Sequence, residues 1–394
     1  IANNNVKDKE NLPNAIFFFR HINDLDFSLP LILFATNAKV IFYGKIKMDD
    51  RRVQLLVDEN VQINVLNTRL INIFEQLSDY LTAILSKINF LRMSSFLKSK
   101  IDHIINGLLK TETNKLIQSS DILQYCSIFN FDHTSCLRSK TIIKALRKQF
   151  TQTKNINIIS LPHGANIFKN RMWDYSNLDP TSNYENFNHF DYVVCNDQMH
   201  FDSMDGNKIN LPSLRYTREW QQYLTNIFIK NSSEKSRNSK QIVLFLLSKI
   251  EGGVNLIEVQ RAIKIIQKFK NIELQIKPHP RGLRELKKLN IFSSRVVLDD
   301  VLEHISFADC IVNIQSNALL DAYLLQKPVI FPKYMTSNDW NEDLKSHALV
   351  ANTPDDFFQL IKTFSKKEIL PTPKYEFIAW KDALSKWSNF FSSL

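Results

Sequence analysis

The stretch Ala308–Pro332 reads ADCIVNIQSNALLDAYLLQKPVIFP. Cys310–Ile314 is a short apolar run, Gln315-Ser316-Asn317 a polar break, Ala318–Leu325 helical in composition, and Pro328–Phe331 a second apolar run. Strand, turn, helix and strand therefore follow one another within a single short segment. A helix that opens after Ser316 or Asn317 turns unpaired N–H groups and the positive end of its dipole toward whatever lies above the sheet. Such an end suits an anion. The plain alternative is that Ser316 or Asn317 only caps a structural helix.

Two other stretches share this grammar. In Glu273–Gly282, ELQIKPHPRG, a strand-like run ends at two prolines, which cannot donate ladder hydrogen bonds. Lys277, His279 and Arg281 are thereby left in a stiffened loop at a strand end, where three cationic groups suit a phosphate. A solvated basic turn is the alternative. In Ile156–Ile167, INIISLPHGANI, a strand ends at Pro162-His163-Gly164. The glycine lets backbone approach a ligand, and His163 is placed to act as base or donor unless it is merely structural.

The alternation extends in both directions. Ala15–Phe19, Val40–Tyr43, Val61–Leu66, Lys154–Leu161 and Phe190–Cys195 read as strands, and Thr68–Leu109, Lys140–Phe150 and Trp220–Ile229 as helices. Strands alternating with helices predict an α/β fold with a parallel sheet covered on both faces. Asn231–Lys240, NSSEKSRNSK, has no apolar side chain and reads as a linker. This predicts an N-terminal domain over 1–230, a linker over 231–240 and a C-terminal domain over 241–394. A chain of 394 residues also exceeds what one core usually supports. The second domain opens with the apolar run Gln241–Leu247. Its Ser248-Lys249-Ile250-Glu251-Gly252-Gly253 loop is a candidate phosphate cradle, or a plain turn, that lacks any G-x-G-x-x-G or Walker pattern. Ligands of such sheets lie beyond the carboxyl ends of the strands, and the 248–253 loop, His279 and Ser316 all fall at such ends.

Taken together, these elements resemble the glycosyltransferases and polyol-phosphate transferases built of two facing Rossmann-like domains with a cleft between them, the GT-B architecture. The likeness extends over roughly 156–332. It is strongest to bacterial enzymes of surface polysaccharide assembly of the CDP-glycerol glycerophosphotransferase and capsule Kdo-transferase groups. The resemblance rests on His163-Gly164, His279-Pro280 and Ser316 standing in the family's order. It implies an acceptor-side domain first and a nucleotide-donor domain second, with Asp321 a candidate partner for the donor ribose.

Composition narrows the classes. Lys and Arg number 50 against 40 acidic residues, a formal charge of +10, which favours acidic partners. No helix-turn-helix, RNP strand or zinc-finger spacing accompanies it, so a nucleic-acid or polyanion binding module remains only a competing alternative. Thr82–Lys110 mixes Ile, Leu and Phe with Lys87, Arg92, Lys98, Lys100 and Lys110. It is either an ordinary surface helix pair or a peripheral contact with an anionic membrane. Cys126, Cys136, Cys195 and Cys310 lack metal spacing or CxxC pairing, predicting reduced buried thiols, no disulfide and no zinc. No charge-free run of about 20 apolar residues and no leader pattern occurs, which predicts a cytoplasmic protein.

The expected activity is transfer of a sugar or polyol-phosphate from a nucleotide-activated donor to a surface glycan acceptor, or to its lipid-linked form. No cofactor is expected, and a CMP or CDP donor is preferred to UDP. Donor contacts are assigned to Ser248, Lys249, Lys277, His279, Arg281, Ser316, Asn317 and Asp321. His163 is the first candidate base and Asp24 and Asp26 the second, with Arg20 and His21 holding an anionic acceptor. Asp24-Leu-Asp26 is the only D-x-D at a strand end, and metal-independent chemistry is expected. A non-hydrolysing nucleotide-sugar epimerase is the first alternative.

Overall fold

The computed structural model describes residues 14–20, 22–44, 46–66, 73–74, 77, 80, 91–118, 127–130, 137–150, 156–162, 190–203, 207–229, 240–247, 253–279, 296–298 and 300–394. The chain folds as two α/β units, each built on a parallel sheet.

In the first unit, β1 (Ala15–Phe19), β2 (Ala38–Phe42), β3 (Gln62–Val65), β4 (Ser127–Asn130), β5 (Asn157–Ser160), β6 (Tyr192–Cys195) and β7 (Lys208–Asn210) assemble in the order β3-β2-β1-β4-β5-β6-β7. All of its pairings are parallel. β1, AIFFF, is buried at every position, as a strand covered on both faces must be. The apolar segment at Phe27–Ala35 is helical, α1 (Leu25–Phe34), in spite of Pro30. α2 (Arg51–Asp58) starts at Asp50, whose carboxylate accepts from the Arg52 N–H. α3 (Leu91–Gln118) buries Ile101, Ile105 and Leu109 beside Ile142, Ile143 and Leu146 of α4 (Leu137–Phe150). α5 (Gln198–Ser203) completes the described helices before residue 216.

The second unit orders β8 (Gln241–Leu246), β9 (Ile272–Lys277), β10 (Cys310–Asn313), β11 (Val329–Pro332) and β12 (Leu349–Ala351) as β12-β11-β10-β8-β9, again with every pairing parallel. Helices α6 (Arg218–Ile229), α7 (Leu256–Gln267), α8 (Val301–Phe307), α9 (Ala318–Leu324), α10 (Glu342–Lys345) and α11 (Pro354–Ser365) cover it. α7 begins where Asn255 Oδ1 accepts from the N–H groups of Ile257 and Glu258. α11 begins with a Thr353–Asp356 capping box and Pro354 at its first turn. The apolar run Val296–Leu298 contributes only an isolated bridge from Val296 to Ile276, too short to count as a strand.

The units are not divided at the polar segment. Contacts group the described residues of 14–162, 190–215 and 381–394 in the first, and those of 216–380 in the second. α6, expected to close the first domain, packs in the second: Trp220 stacks on Trp380 and Gln221 bonds Asp321. The last helix, α12 (Trp380–Ser392), lies in the first unit from Lys381 onward, where Trp387 Nε1 donates to Pro212 O and Phe390 meets Tyr192 edge-on. Local composition carries neither assignment, because both rest on contacts between residues more than 150 positions or about 100 positions apart. Cys195 and Cys310 are buried free thiols, each pushed up to about 12 by burial and by a neighbouring aspartate. Cys126 and Cys136 lie outside the described residues. Among the described residues, no helix is long and apolar enough to cross a membrane.

Two glycines give opposite expectations. A Cβ on Gly44, just after β2, would stand 1.9 Å from the Arg20 backbone oxygen, whereas one on Gly107 of α3 meets nothing within 4 Å. Gly44→Ala should cost about 1–3 kcal/mol in urea unfolding by forcing a backbone shift. Gly107→Ala should stabilise by about 0.5–1 kcal/mol, as alanine does in an exposed helix interior.

Candidate functional site at the carboxyl ends of the second sheet

The strand order of the second sheet reverses between β8 and β10. In open parallel sheets such a reversal leaves a crevice above the carboxyl ends, because the connections on its two sides depart to opposite faces. β8 ends at Leu246 and β10 at Asn313, paired in register, with β9 ending alongside at Lys277.

Asn313 is fully buried and shapes the turn that follows β10. Its Oδ1 accepts from the Ser316 N–H at 2.9 Å and its Nδ2 donates to Ser316 O at 2.9 Å. The Ser316 hydroxyl accepts from the Ala318 N–H at 3.3 Å, so Ser316 caps the start of α9. Gln315 Nε2 bonds Thr336 Oγ1, and Trp340 Nε1 donates to Ile314 O at 2.8 Å while its ring stacks on Phe331 with centroids 4.1 Å apart. The turn is thus held from below by Asn313 and from the side by the segment after β11. Asn317 is exposed at the residue just before α9.

The neighbouring loops are tied to the same segment. Gly253 adopts φ +77°, a left-handed conformation natural to glycine, and its carbonyl accepts from the Ser337 N–H at 3.0 Å. The Asn255 N–H donates to Met335 O at 2.7 Å. Lys333 and Lys345 both meet Asp339, at 3.3 and 3.2 Å. Burial alone would raise the Asp339 carboxyl, but the Lys345 bond and the Lys333 charge outweigh it and hold it below its ordinary range.

The anticipated donor residues are brought together in part. Lys277 and half-buried His279 stand at the end of β9, and Ser316 and Asn317 at the end of β10. Lys277 Nζ donates to Leu298 O at 2.9 Å, which makes it a support of its own loop. Asp321 is buried within α9, with Oδ1 accepting from Gln221 Nε2 of α6 at 3.0 Å, so it joins two helices. Ser248, Lys249 and Arg281 lie outside the described residues. So do His163, Gly164 and His21 in the first unit. Sequence reasoning passed over Asn313, Gln315 and Thr336. The available signal was an asparagine inside an otherwise apolar strand, three residues before a serine.

In the first unit, Asp26 in the first turn of α1 meets Arg52 at 2.8 Å and Arg215 at 3.3 Å, and Arg52 also bonds Asp50. Burial would raise the Asp26 carboxyl, but the charges of Arg52 and Arg215 and their hydrogen bonds outweigh it and hold it low. A carboxylate so held is a weak base, and its charge is already balanced. Asp24 is buried at the start of α1, and its backbone carbonyl accepts from Ser28 Oγ. Arg20 follows β1 at intermediate burial. Among the described residues, no three His, Cys, Asp or Glu side chains group as metal ligands. A cavity of about 380 Å³ lined by Lys240, Phe269, Glu273 and Gln275 lies toward the amino ends of β8 and β9, away from these loops.

No protein-family profile matches the chain, and the comparison with curated proteins finds no match either. Solved structures do resemble it. UDP-GlcNAc 2-epimerase from Neisseria meningitidis, bound to UDP-GlcNAc, superposes with a TM-score of 0.58 at 13% identity, covering 97% of this chain and 100% of that one. UDP-GlcNAc 2-epimerase from Methanocaldococcus jannaschii gives a TM-score of 0.55 at 11% identity, over 95% and 99% of the two chains. A putative UDP-N-acetylglucosamine 2-epimerase from Listeria monocytogenes gives 0.55 at 12%, over 97% of each. At such identities the likeness establishes the fold: two Rossmann-like domains of GT-B type.

Asp26→Asn should destabilise by about 1–2 kcal/mol near neutral pH, less than for a fully buried pair because a third of the side chain stays in water. Folding lowers this pKa, so the carboxylate supports the native state above the ordinary carboxylate pKa of about 4 and loses that effect as pH falls below it. Urea titrations of wild type and variant should therefore differ at pH 7 and converge toward about pH 3. A pH-independent difference would show that the ion pairs are not its source.

Proposed function

We propose that the chain is an enzyme acting on a nucleoside-diphosphate sugar, and that it inverts one carbon of that sugar as a non-hydrolysing nucleotide-sugar epimerase. The observation that carries this reading is the end-to-end likeness in fold to UDP-GlcNAc 2-epimerases, one of them holding UDP-GlcNAc. The preference for cytidine drawn from a basic, HP-containing donor site gives way to uridine for the same reason. In this reading the diphosphate rests against the Asn313–Asn317 turn and the β9 end, where His279 and the start of α9 offset its charge.

Inversion of the carbon beside the anomeric centre is balanced when a base takes its proton as the anomeric C–O bond to the diphosphate breaks, the electron pair forming a C=C, and a proton returns on the other face as the diphosphate adds back. His163 is the proposed base. Asp26 is the poorer choice, since two guanidinium groups already stabilise its charged form. The same engagement argues against a D-x-D metal site at Asp24 and Asp26, and the chemistry is proposed to be metal-independent. A second reading, transfer to a glycan acceptor, is favoured by His163-Gly164, His279-Pro280 and Ser316 standing in the order of the polysaccharide transferases.

The two readings part in one experiment. Incubated with UDP-GlcNAc in deuterated water without acceptor, an epimerase forms the epimer and places deuterium at the inverted carbon; a transferase leaves the sugar unchanged until acceptor is added. Thermal shift should show stabilisation by UDP above CMP, CDP and GDP. His279→Ala should weaken the best nucleotide by about 1.5–3 kcal/mol, the worth of a charge-assisted hydrogen bond. A protein that none of these nucleotides stabilises would sink both readings.

A further inference from the structure

Twelve large apolar side chains lie exposed among the described residues, and five of them, Ile73, Leu77, Tyr80, Phe96 and Ile104, fall within one short span of the first unit. They fall in two short runs, 73–80 and 96–104. Ile73, Leu77 and Tyr80 are helical and spaced for one face. On α3 the core side is Ile101, Ile105 and Leu109, and Phe74 packs into the same cluster. The apolar residues in this sequence that face inward are therefore ordinary core. Phe96, Lys100 and Ile104 repeat every four residues on the outer side of α3, and the Lys100 ammonium sits 5.6 Å from the centre of the Phe96 ring.

Lys98, His103 and Lys110 are exposed on the same helix, which carries five basic residues against two acidic ones. Each class of partner makes a different demand on such a face. A protein interface depletes lysine at its centre, where desolvation is complete. A nucleic-acid backbone has no use for exposed isoleucine and leucine. A lipid surface uses both, since aliphatic and aromatic groups enter the headgroup region while lysine stems follow them and keep their charges at the phosphates.

We propose that the outer side of α3, which carries Phe96, Lys100 and Ile104 together with the exposed His103 and Lys110, docks on an anionic lipid surface. The inference is independent of the reaction assigned to the second unit. The full chain should co-float with phosphatidylcholine vesicles containing phosphatidylglycerol, bind poorly to pure phosphatidylcholine, and detach as salt is raised. Lys100→Ala with Lys110→Ala should lower partitioning by about 25-fold, taking about fivefold per lysine. Phe96→Ser with Ile104→Ser should lower it at any salt concentration. Lys264→Ala with Lys268→Ala, an exposed pair elsewhere, should leave it unchanged. The melting temperature of each variant, with and without nucleotide, checks that folding and the other site are intact. No flotation with anionic vesicles at low salt, flotation that ignores the patch variants, a self-association abolished by Phe96→Ser, or preference for DNA over vesicles would each overturn the proposal.

Discussion

Every strand pairing described in this chain is parallel, and parallel strands carry their backbone hydrogen bonds only when both faces of the sheet are covered. Each strand must then be followed by a crossover, and every crossover leaves from the same edge. The start of α7 and the turns after β10 and β11 are neighbours because of that constraint. Gly253 and Asn255 meet Ser337 and Met335, and Gln315 meets Thr336, although long stretches of chain lie between them. The order of strands decides the rest: the reversal between β8 and β10 opens a place above the sheet where a ligand can meet backbone groups directly.

Polar groups buried near that edge act as struts. Asn313, with no exposed surface, closes the turn to Ser316 through both halves of its amide. Replacing it by an aliphatic residue would leave the Ser316 N–H without this bond, while Ser316 O would keep the Leu319 N–H. Asp321 and Gln221 join α9 to α6 in the same manner. In the first unit, Asp26 gathers Arg52 and Arg215 at the first turn of α1. A carboxylate so placed can serve chemistry or architecture, and its partners distinguish the two.

The functional proposals draw on different layers of the molecule. The nucleotide-sugar reading depends on strand order and on likeness of the whole chain to enzymes of known ligand. The lipid-surface reading depends on side chains that the core leaves outside. α3 shows how one helix serves both ends, with Ile101, Ile105 and Leu109 spent on packing and Phe96, Lys100 and Ile104 left to the exterior.

The α/β class, most of the strands and the placement of His279, Ser316 and Asn317 at strand ends were legible in the residues, because apolar runs, prolines and polar breaks act locally. α1 was not: Phe27–Ala35 is apolar throughout, without a period that separates buried helix from buried strand. The division into units was not either, since α6 and α12 are assigned by Trp220 on Trp380, Gln221 on Asp321 and Trp387 on Pro212. Which of the candidate residues face a ligand and which hold the fold together was likewise beyond local reading. Lys277, Asp26 and Asp321 carry the residue types of a site, yet Leu298, Arg52, Arg215 and Gln221 engage them. Composition and order determine which groups the chain can offer at each strand end. Only the tertiary structure decides which of them are already taken, because their partners come from distant segments that packing brings within hydrogen-bond reach.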